Sequence, residues 1–212
     1  MAYDISDLYK RYPELKKIGY SITDAFSILK RTVSKDGIIF ICGNGGSASD
    51  SEHIAGELLK SFLIRRKASG KVRKTAIKVF GEKEGRMICD GLEDGIRAIS
   101  LNGHPSFATA FANDSSPSMV FAQQLHVLGR KGDVLIAIST SGNADNVLNA
   151  IKVARIKGIT SILLTGALGG ECAKKADLCI KAPANETYKI QEYHLPIYHA
   201  LCAMLEGEFY GS

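Results

Sequence analysis

The sequence lacks the marks of membrane-spanning and secreted proteins. Its 212 residues contain no apolar run near the roughly 18 residues needed to cross a bilayer. No N-terminal segment joins a basic stretch to an apolar core, as a secretory signal would. The five cysteines are odd in number, have no CxxC spacing and lie mostly in apolar runs, which favours reduced core thiols. We therefore expect a soluble cytoplasmic protein with no membrane partner.

Signals of nucleic-acid binding are also scarce. Positive charge concentrates between residues 60 and 86, where ten Lys or Arg accompany Glu82 and Glu84, a local excess of eight. Only Phe62 and Phe80 add aromatic rings that could stack on bases, and no helix-turn-helix pattern is evident. Three interpretations remain: a solvated basic loop, a surface that attracts anionic substrates, or a nucleic-acid contact. A nucleic-acid partner is the least favoured.

What the chain does contain is an alternation of strands and helices. The 45% hydrophobic content is ample for a core. Short apolar runs predict the following strands: 37–42, 97–101, 134–138, 159–164 and 178–181. Helical spacing predicts helices between and around them, and this order predicts an α/β fold whose parallel sheet has helices on both faces. We expect a single domain over residues 1–212.

The ends and one inner segment of the chain have their own patterns. Apolar residues at helical spacing predict an amphipathic helix over 14–35 and a long helix over 187–208. A helix over 46–66 should follow the first strand. Residues 68–94 are basic and glycine-punctuated, with an apolar alternation around Thr75 to Phe80, so we expect a loop or hairpin inserted in the domain.

The most informative stretch runs from Cys42 to Glu57. A buried strand leads into the glycine-rich turn Gly43-Asn44-Gly45-Gly46-Ser47, and a helix follows. Unpaired backbone N–H groups and the dipole at a helix start favour an anion or an oxygen-rich ligand. Within the helix, His53 and Glu57 are four residues apart and can reach the same point. A surface or core pair is the usual meaning of that spacing.

A second polar motif, Ser139-Thr140-Ser141, directly follows the strand at 134–138. Three hydroxyls at the carboxyl end of a parallel strand suit a phosphate group. The alternative is that one of them only caps the helix predicted to begin at residue 145. Because the glycine-rich turn follows another strand of the same sheet, the phosphate interpretation is favoured.

The predicted C-terminal helix carries a third polar group. Gln191, His194 and His199 lie within nine residues and within reach of one side of the helix. Histidines in helices are more often packed than catalytic, so this pattern alone identifies no site.

These motifs together resemble the sugar isomerase (SIS) domain family and, within it, the phosphoheptose isomerases that act on sedoheptulose 7-phosphate. The resemblance covers nearly the whole chain apart from residues 68–94. It rests on these stretches: Cys42–Ser47, His53 with Glu57, Asn113-Asp114, Ile138–Asn143, Leu164–Gly166, Ile190–Glu192 and His199. It implies a flavodoxin-like three-layer α/β sandwich with terminal helices. It also implies a homotetramer packed partly through residues 1–35, with active sites between subunits.

The resemblance also implies roles for individual residues. Glu57 would be the general base and His199 the general acid. The sugar and its phosphate would be held by Asn44, Gly45, Gly46, Ser47, Asn113, Asp114, Ser139, Thr140, Ser141 and Gln191. Some members bind Zn²⁺, here at the positions of His53, Glu57, Gln191 and His199, which form a chemically sensible nitrogen and oxygen ligand set.

The implied reaction is an aldose–ketose isomerisation of sedoheptulose 7-phosphate to a heptose 7-phosphate for surface polysaccharide. It removes a proton beside the carbonyl, passes through an enediol and returns a proton to the neighbouring carbon. The alternative is a non-catalytic relative that senses a sugar phosphate or binds the replication initiator protein. His199 favours catalysis, because the replication-associated relatives lack that histidine.

Three positions depart from the pattern of the isomerases. His104 stands where close relatives have an aspartate, Ser61 replaces a frequent arginine beside Lys60, and Ala144 replaces a frequent phosphate-binding serine. These changes, with the inserted segment 68–94, predict altered contacts to the sugar and its phosphate. His104 is a candidate for an extra substrate or metal contact.

Overall fold

The computed structural model describes residues 3–211, and its centre is one parallel sheet. The five strands are β1 (Ile39–Gly43), β2 (Ala98–Ser100), β3 (Val134–Ile138), β4 (Thr160–Thr165) and β5 (Leu178–Lys181). Their order is β2-β1-β3-β4-β5, so the chain reverses its direction of growth between β1 and β3. In open α/β sheets, ligands bind beside the carboxyl ends of the strands at such a switch point. Gly43 and Ile138, the last residues of β1 and β3, are paired in register there.

Helices cover both faces of the sheet. Within the described residues they are α1 (Ile5–Arg11), α2 (Gly19–Ser34), α3 (Gly46–Leu59), α4 (Gly70–Phe80), α5 (Glu82–Asp90), α6 (Pro105–Asp114), α7 (Val120–Leu128), α8 (Asp145–Lys157), α9 (Gly170–Ala173) and α10 (Thr187–Tyr210). Short 3₁₀ turns at Pro13–Ile18 and Pro117–Met119 precede α2 and α7. The predicted α/β sandwich with terminal helices is confirmed.

Alternate residues of the strands build two cores. Ile39 and Ile41 of β1 face one layer, which also holds buried side chains of α2, α3 and α10. Phe40 of β1 faces the other, which α7 and α8 cover. This division follows from the period of two in a strand, and it makes every residue of β1 and β3 buried. Cys42, Cys172 and Cys202 are buried in these layers, and Cys89 is buried on α5. Cys179 is partly buried, and all five are free thiols, as expected.

The expectation of a loop or hairpin over residues 68–94 is wrong, because the segment forms the helices α4 and α5. The Ser69 hydroxyl caps α4, and Gly81 at φ 80° joins the two helices. Gly85 lies against the backbone of Ile77, where no side chain would fit. Val72, Ala76 and Val79 have helical spacing, which the alternation around Ala76 concealed.

Helix α3 ends at Leu59, seven residues before the predicted end, because residues 60–67 fold back over the end of α10. Glu206 of α10 accepts the backbone N–H groups of Phe62, Leu63 and Ile64 at 2.6–2.9 Å. Arg66 donates to the same carboxylate at 2.7 Å, and both side chains are only 1% exposed. Sequence reasoning missed this pair, whose partners are 140 residues apart.

Arg66 also fixes the end of α3. Its guanidinium donates to the carbonyl oxygens of Glu57 and Leu58, both at 2.7 Å. Burial alone would raise the pKa of Glu206, but the backbone donors and Arg66 outweigh it and hold that pKa below its usual range. One buried ion pair therefore joins the end of α3 to α10. No helix of residues 3–211 has the length and apolar character needed to cross a membrane.

Replacing Glu206 with Gln should lower the free energy of unfolding by about 3–5 kcal/mol, because it leaves Arg66 buried without its counter-charge. Since folding lowers the pKa of Glu206, its stabilising contribution is complete above the unfolded value near 4.3 and disappears as pH falls through the folded value. Urea unfolding from pH 7 to pH 3 should therefore show a flatter acid limb in the variant.

The control is Glu208→Gln on the same helix, since Glu208 makes a partly exposed pair with Lys30 at 2.7 Å. That change should cost at most about 1 kcal/mol. Equal losses in the two variants would contradict the role given to Glu206.

Candidate active site

Two hydrogen bonds with Asn102 fix the start of the glycine-rich turn after β1. Sequence reasoning did not assign Asn102 to the site. The Asn102 amide donates to the carbonyl of Gly43 at 2.9 Å and accepts its N–H at 3.3 Å. Gly43 packs against Ser47 too closely for any side chain, and Gly45 has φ 55°, a conformation that favours glycine. The turn is thus a fixed cradle whose exposed backbone leads into α3.

The tip of this turn contacts α8. Asn44 and Asn146 exchange two amide hydrogen bonds of 2.8 and 2.9 Å. Asn44 was a predicted sugar contact, whereas Asn146 was not predicted. The pair joins the glycine-rich turn to the helix that follows Ser139-Thr140-Ser141, the hydroxyl loop.

The hydroxyl loop lies beside the glycine-rich turn, because β1 and β3 are neighbours in register. Ser139 is buried, Thr140 is partly buried and Ser141 is exposed. The capping alternative is not supported, since α8 begins after Ala144 with no side-chain cap. The Ser141 hydroxyl instead accepts the N–H of Asn143 at 3.2 Å and shapes the loop.

Helix α10 meets the glycine-rich turn at Gln191. The amide of Gln191 lies against Gly46, where a larger residue would make this side chain move. Gln191 is 145 residues from Gly46 in the chain, and its amide lies at the turn, while its contact to a sugar stays a prediction. The start of α3 and the start of α10 therefore border the same edge of the sheet.

About three turns along α3 from Gly46 and about two turns along α10 from Gln191, Glu57 and His199 both contact the His53 ring. Oε1 of Glu57 is 3.2 Å from Nε2 of His53. Nε2 of His199 is 3.5 Å from the same nitrogen. Lys60 holds the other oxygen of Glu57 at 2.9 Å. The predicted base and the predicted acid thus contact the same imidazole nitrogen, although they are remote in sequence.

The surroundings keep His199 largely neutral. Burial lowers the pKa of His199, the adjacent His53 lowers it further, and Glu57 partly opposes both. A neutral imidazole can accept one proton and donate another, as an acid–base group must.

Two further residues stand behind His53, and sequence reasoning missed both. The Tyr198 hydroxyl lies 3.0 Å from Nδ1 of His53 and donates to Asp50 at 3.2 Å. Burial, with Asp50 nearby, raises the pKa of Tyr198 and keeps the phenol protonated. Burial also raises the pKa of Asp50, while the hydrogen bond from Tyr198 acts in the opposite direction.

Other predicted residues lie apart from this group. Asn113 and Asp114 end α6 at the surface, where they bond to each other at 2.8 Å. His104 bonds to the Gln124 side chain at 2.8 Å, so the contact shown is with α7 and not with the predicted site. His194 is fully buried beside the carbonyl of Thr165 at 3.4 Å, and burial lowers its pKa to about 4. His194 therefore packs in the core, as the ordinary interpretation of a helical histidine holds.

The open space near His199 lies toward α1. A cavity of about 170 Å³ is lined by Tyr3, Leu8, Arg11, Tyr12, Phe62, Leu63, Leu195, Pro196, His199 and Ala203. Glu57 is not part of its lining. One side of His199 therefore faces this cavity beside α1, and another side contacts His53.

The predicted zinc ligands fit a metal ion in part. Tetrahedral ligands of zinc are about 3.4 Å apart, which is close to the spacings from His53 to Glu57 and to His199. The Gln191 amide lies at Gly46 instead. Across residues 3–211, no group of three or more His, Cys, Asp or Glu side chains is arranged as a complete metal site.

Comparisons with known proteins identify the family. A family model described as the SIS domain matches residues 116–206. The chain is 37% identical to the phosphoheptose isomerase of Rhodospirillum rubrum, with 88% of this chain and 85% of that protein covered. It is 36% identical to that of Helicobacter pylori, with 92% and 88% covered.

A solved structure extends the match to three dimensions. The phosphoheptose isomerase GmhA from Neisseria gonorrhoeae superposes with a TM-score of 0.74 at 30% identity, with 96% of this chain and 95% of that chain covered. Sequence and fold therefore agree over nearly the whole length of both chains. The protein belongs to the phosphoheptose isomerase family of SIS-domain proteins.

Proposed function

We propose that this protein isomerises sedoheptulose 7-phosphate to a heptose 7-phosphate through an enediol. The observation that carries the proposal is the meeting of Glu57 and His199 at His53, on α3 and α10, the two helices that also meet at the glycine-rich turn. Family membership supports the same reaction, since the relatives are phosphoheptose isomerases.

The phosphate is assigned to the hydroxyl loop. Hydroxyl groups of Ser139, Thr140 and Ser141 can donate to phosphate oxygens, and the adjacent backbone adds further donors. Asn44, Ser47 and Gln191 border the neighbouring turn and would bind sugar hydroxyls, with Gly45 and Gly46 allowing close approach of the ligand. Contacts of Asn113 and Asp114 with the substrate stay a prediction. They require the sugar or a second subunit to reach the end of α6.

Proton transfer is assigned to Glu57 and His199. Glu57 would remove the proton beside the carbonyl, while His199 would serve the sugar oxygens and return a proton. Lys60 contacts the other carboxylate oxygen of Glu57 at 2.9 Å. Both roles need only side chains that already lie around one imidazole.

We also propose a zinc ion held by His53, Glu57, Gln191 and His199. When bound, it would polarise the substrate carbonyl as a Lewis acid. The metal and the acid–base roles compete for the same groups, because a zinc-bound carboxylate is a weaker base. Gln191 would have to turn from Gly46 to join the set.

We also propose that the protein is a homotetramer and that it is located in the cytoplasm. A homotetramer packed through residues 1–35 would place a second subunit near His199, where the cavity beside α1 lies. A cytoplasmic location agrees with the free thiols. The non-catalytic alternative is not favoured, because the curated relatives are isomerases over most of this chain.

Glu57→Gln and His199→Ala should each reduce isomerase chemistry by at least about 100-fold, the range expected for loss of a general base or acid. The measurement is deuterium exchange from solvent into sedoheptulose 7-phosphate, followed by NMR, because exchange is visible even when equilibrium disfavours the product.

Matched controls are Glu52→Gln, an exposed carboxylate on the same helix as Glu57, and His126→Ala, an exposed histidine on α7. Both should exchange at the wild-type rate. Wild-type exchange in Glu57→Gln and His199→Ala would rule out the assigned roles.

Protein purified without chelators should contain about one zinc per chain by elemental analysis, and His53→Ala should lose most of it. Glu52→Gln serves as the control that keeps its metal. A metal-free preparation with full exchange activity would remove zinc from the proposal without affecting the acid–base roles.

A further inference from the structure

His53 has a different partner at each ring nitrogen. Its Nδ1 lies 3.0 Å from the Tyr198 hydroxyl, which in turn donates to Oδ1 of Asp50 at 3.2 Å. Its Nε2 lies 3.2 Å from Glu57 and 3.5 Å from His199. One nitrogen therefore faces a structural partner, and the other faces the groups assigned to proton transfer.

The direction in which the Tyr198 hydroxyl donates its proton decides which ring nitrogen of His53 is unprotonated. A phenol has a single hydroxyl proton to donate. A carboxylate is the stronger acceptor, and Oδ2 of Asp50 is already buried with no hydrogen-bond partner among the described residues. If Tyr198 donated to His53 instead, both oxygens of Asp50 would lack a donor. With its proton given to Asp50, the Tyr198 oxygen can only accept a hydrogen bond from Nδ1 of His53.

We propose that Asp50 and Tyr198 are positioning residues that keep the proton of His53 on Nδ1 and present Nε2 as an unprotonated acceptor. The Nε2 lone pair then faces Oε1 of Glu57, an arrangement that a substrate proton or a cation between them stabilises. The opposite tautomer would place an N–H against Glu57 and occupy the carboxylate needed as base. This catalytic meaning rests on the proposed function, whereas the tautomer itself does not.

The protein contains its own reference for the measurement. Nε2 of His194 lies 3.4 Å from the carbonyl oxygen of Thr165, which can only accept, so neutral His194 carries its proton on Nε2. His53 and His194 should therefore have opposite tautomers in one sample. Histidine-selective ¹⁵N labelling and NMR of the imidazole nitrogens in zinc-free protein at about pH 8.5, above the usual imidazole pKa near 6.5, distinguishes them.

Two variants should move the proton of His53. Tyr198→Phe removes the acceptor beside Nδ1, so the proton should shift to Nε2 and donate to Glu57. Asp50→Ala frees the Tyr198 hydroxyl to donate to Nδ1, which has the same effect through a different change. Tyr193→Phe, the same substitution on the same helix, should leave both histidines as they are.

The outcomes separate this proposal from the proposed function. A proton on Nε2 of His53 in the wild type, or on Nδ1 in both variants, overturns the proposal. Tyr198→Phe should also lower kcat about 10-fold to 100-fold, with KM changed less than about 2-fold, as expected for loss of an outer-shell partner. If the wild type shows the expected tautomers but does not exchange sedoheptulose 7-phosphate, the proposed function is contradicted and the positioning proposal is supported.

Discussion

The packing of α10 against α3 is the constraint on which the candidate site depends. At one end of this contact Gly46 admits the side chain of Gln191, and at the other the rings of Tyr198 and His199 meet His53. These partners are about 145 residues apart in the chain, so the cost in chain entropy is borne by the burial of both helices in the same core layer. The burial of apolar surface drives the packing of α10 against α3, and the polar contacts determine how the two helices are aligned.

The Arg66–Glu206 pair completes this contact below the site. Arg66 binds the carbonyl oxygens at the end of α3, and Glu206 of α10 binds Arg66 and the backbone N–H groups of residues 62–64. A buried ion pair gives little net stability compared with an apolar core, but its geometry is specific. Here it fixes where α3 ends, and therefore how Glu57 is presented to His53.

The sequence predicts the local parts of this protein well. Short apolar runs place the strands, and the turn from Gly43 to Ser47 together with the hydroxyls from Ser139 to Ser141 predicts the ligand edge, because parallel strands bring their carboxyl ends together. Helix α4 was missed because a short amphipathic stretch satisfies a period of two as well as 3.6. Residues 1, 2 and 212, which the predicted domain includes, lie outside the described residues.

The site residues that were missed share one physical cause. Asn102, Asn146, Tyr198 and Arg66 all act on partners more than 50 residues away. No local pattern marks such a residue, since its meaning exists only after the sheet and α10 have brought the partner close. Tyr198 also looks like an ordinary core aromatic in the sequence, because its ring is almost entirely buried.

The most direct test is a crystal structure of Glu57→Gln with sedoheptulose 7-phosphate bound. The account predicts the phosphate at the hydroxyls of Ser139 to Ser141, and the first two carbons of the sugar beside residue 57 and His199. A phosphate bound elsewhere, with those carbons out of reach of both side chains, would contradict it.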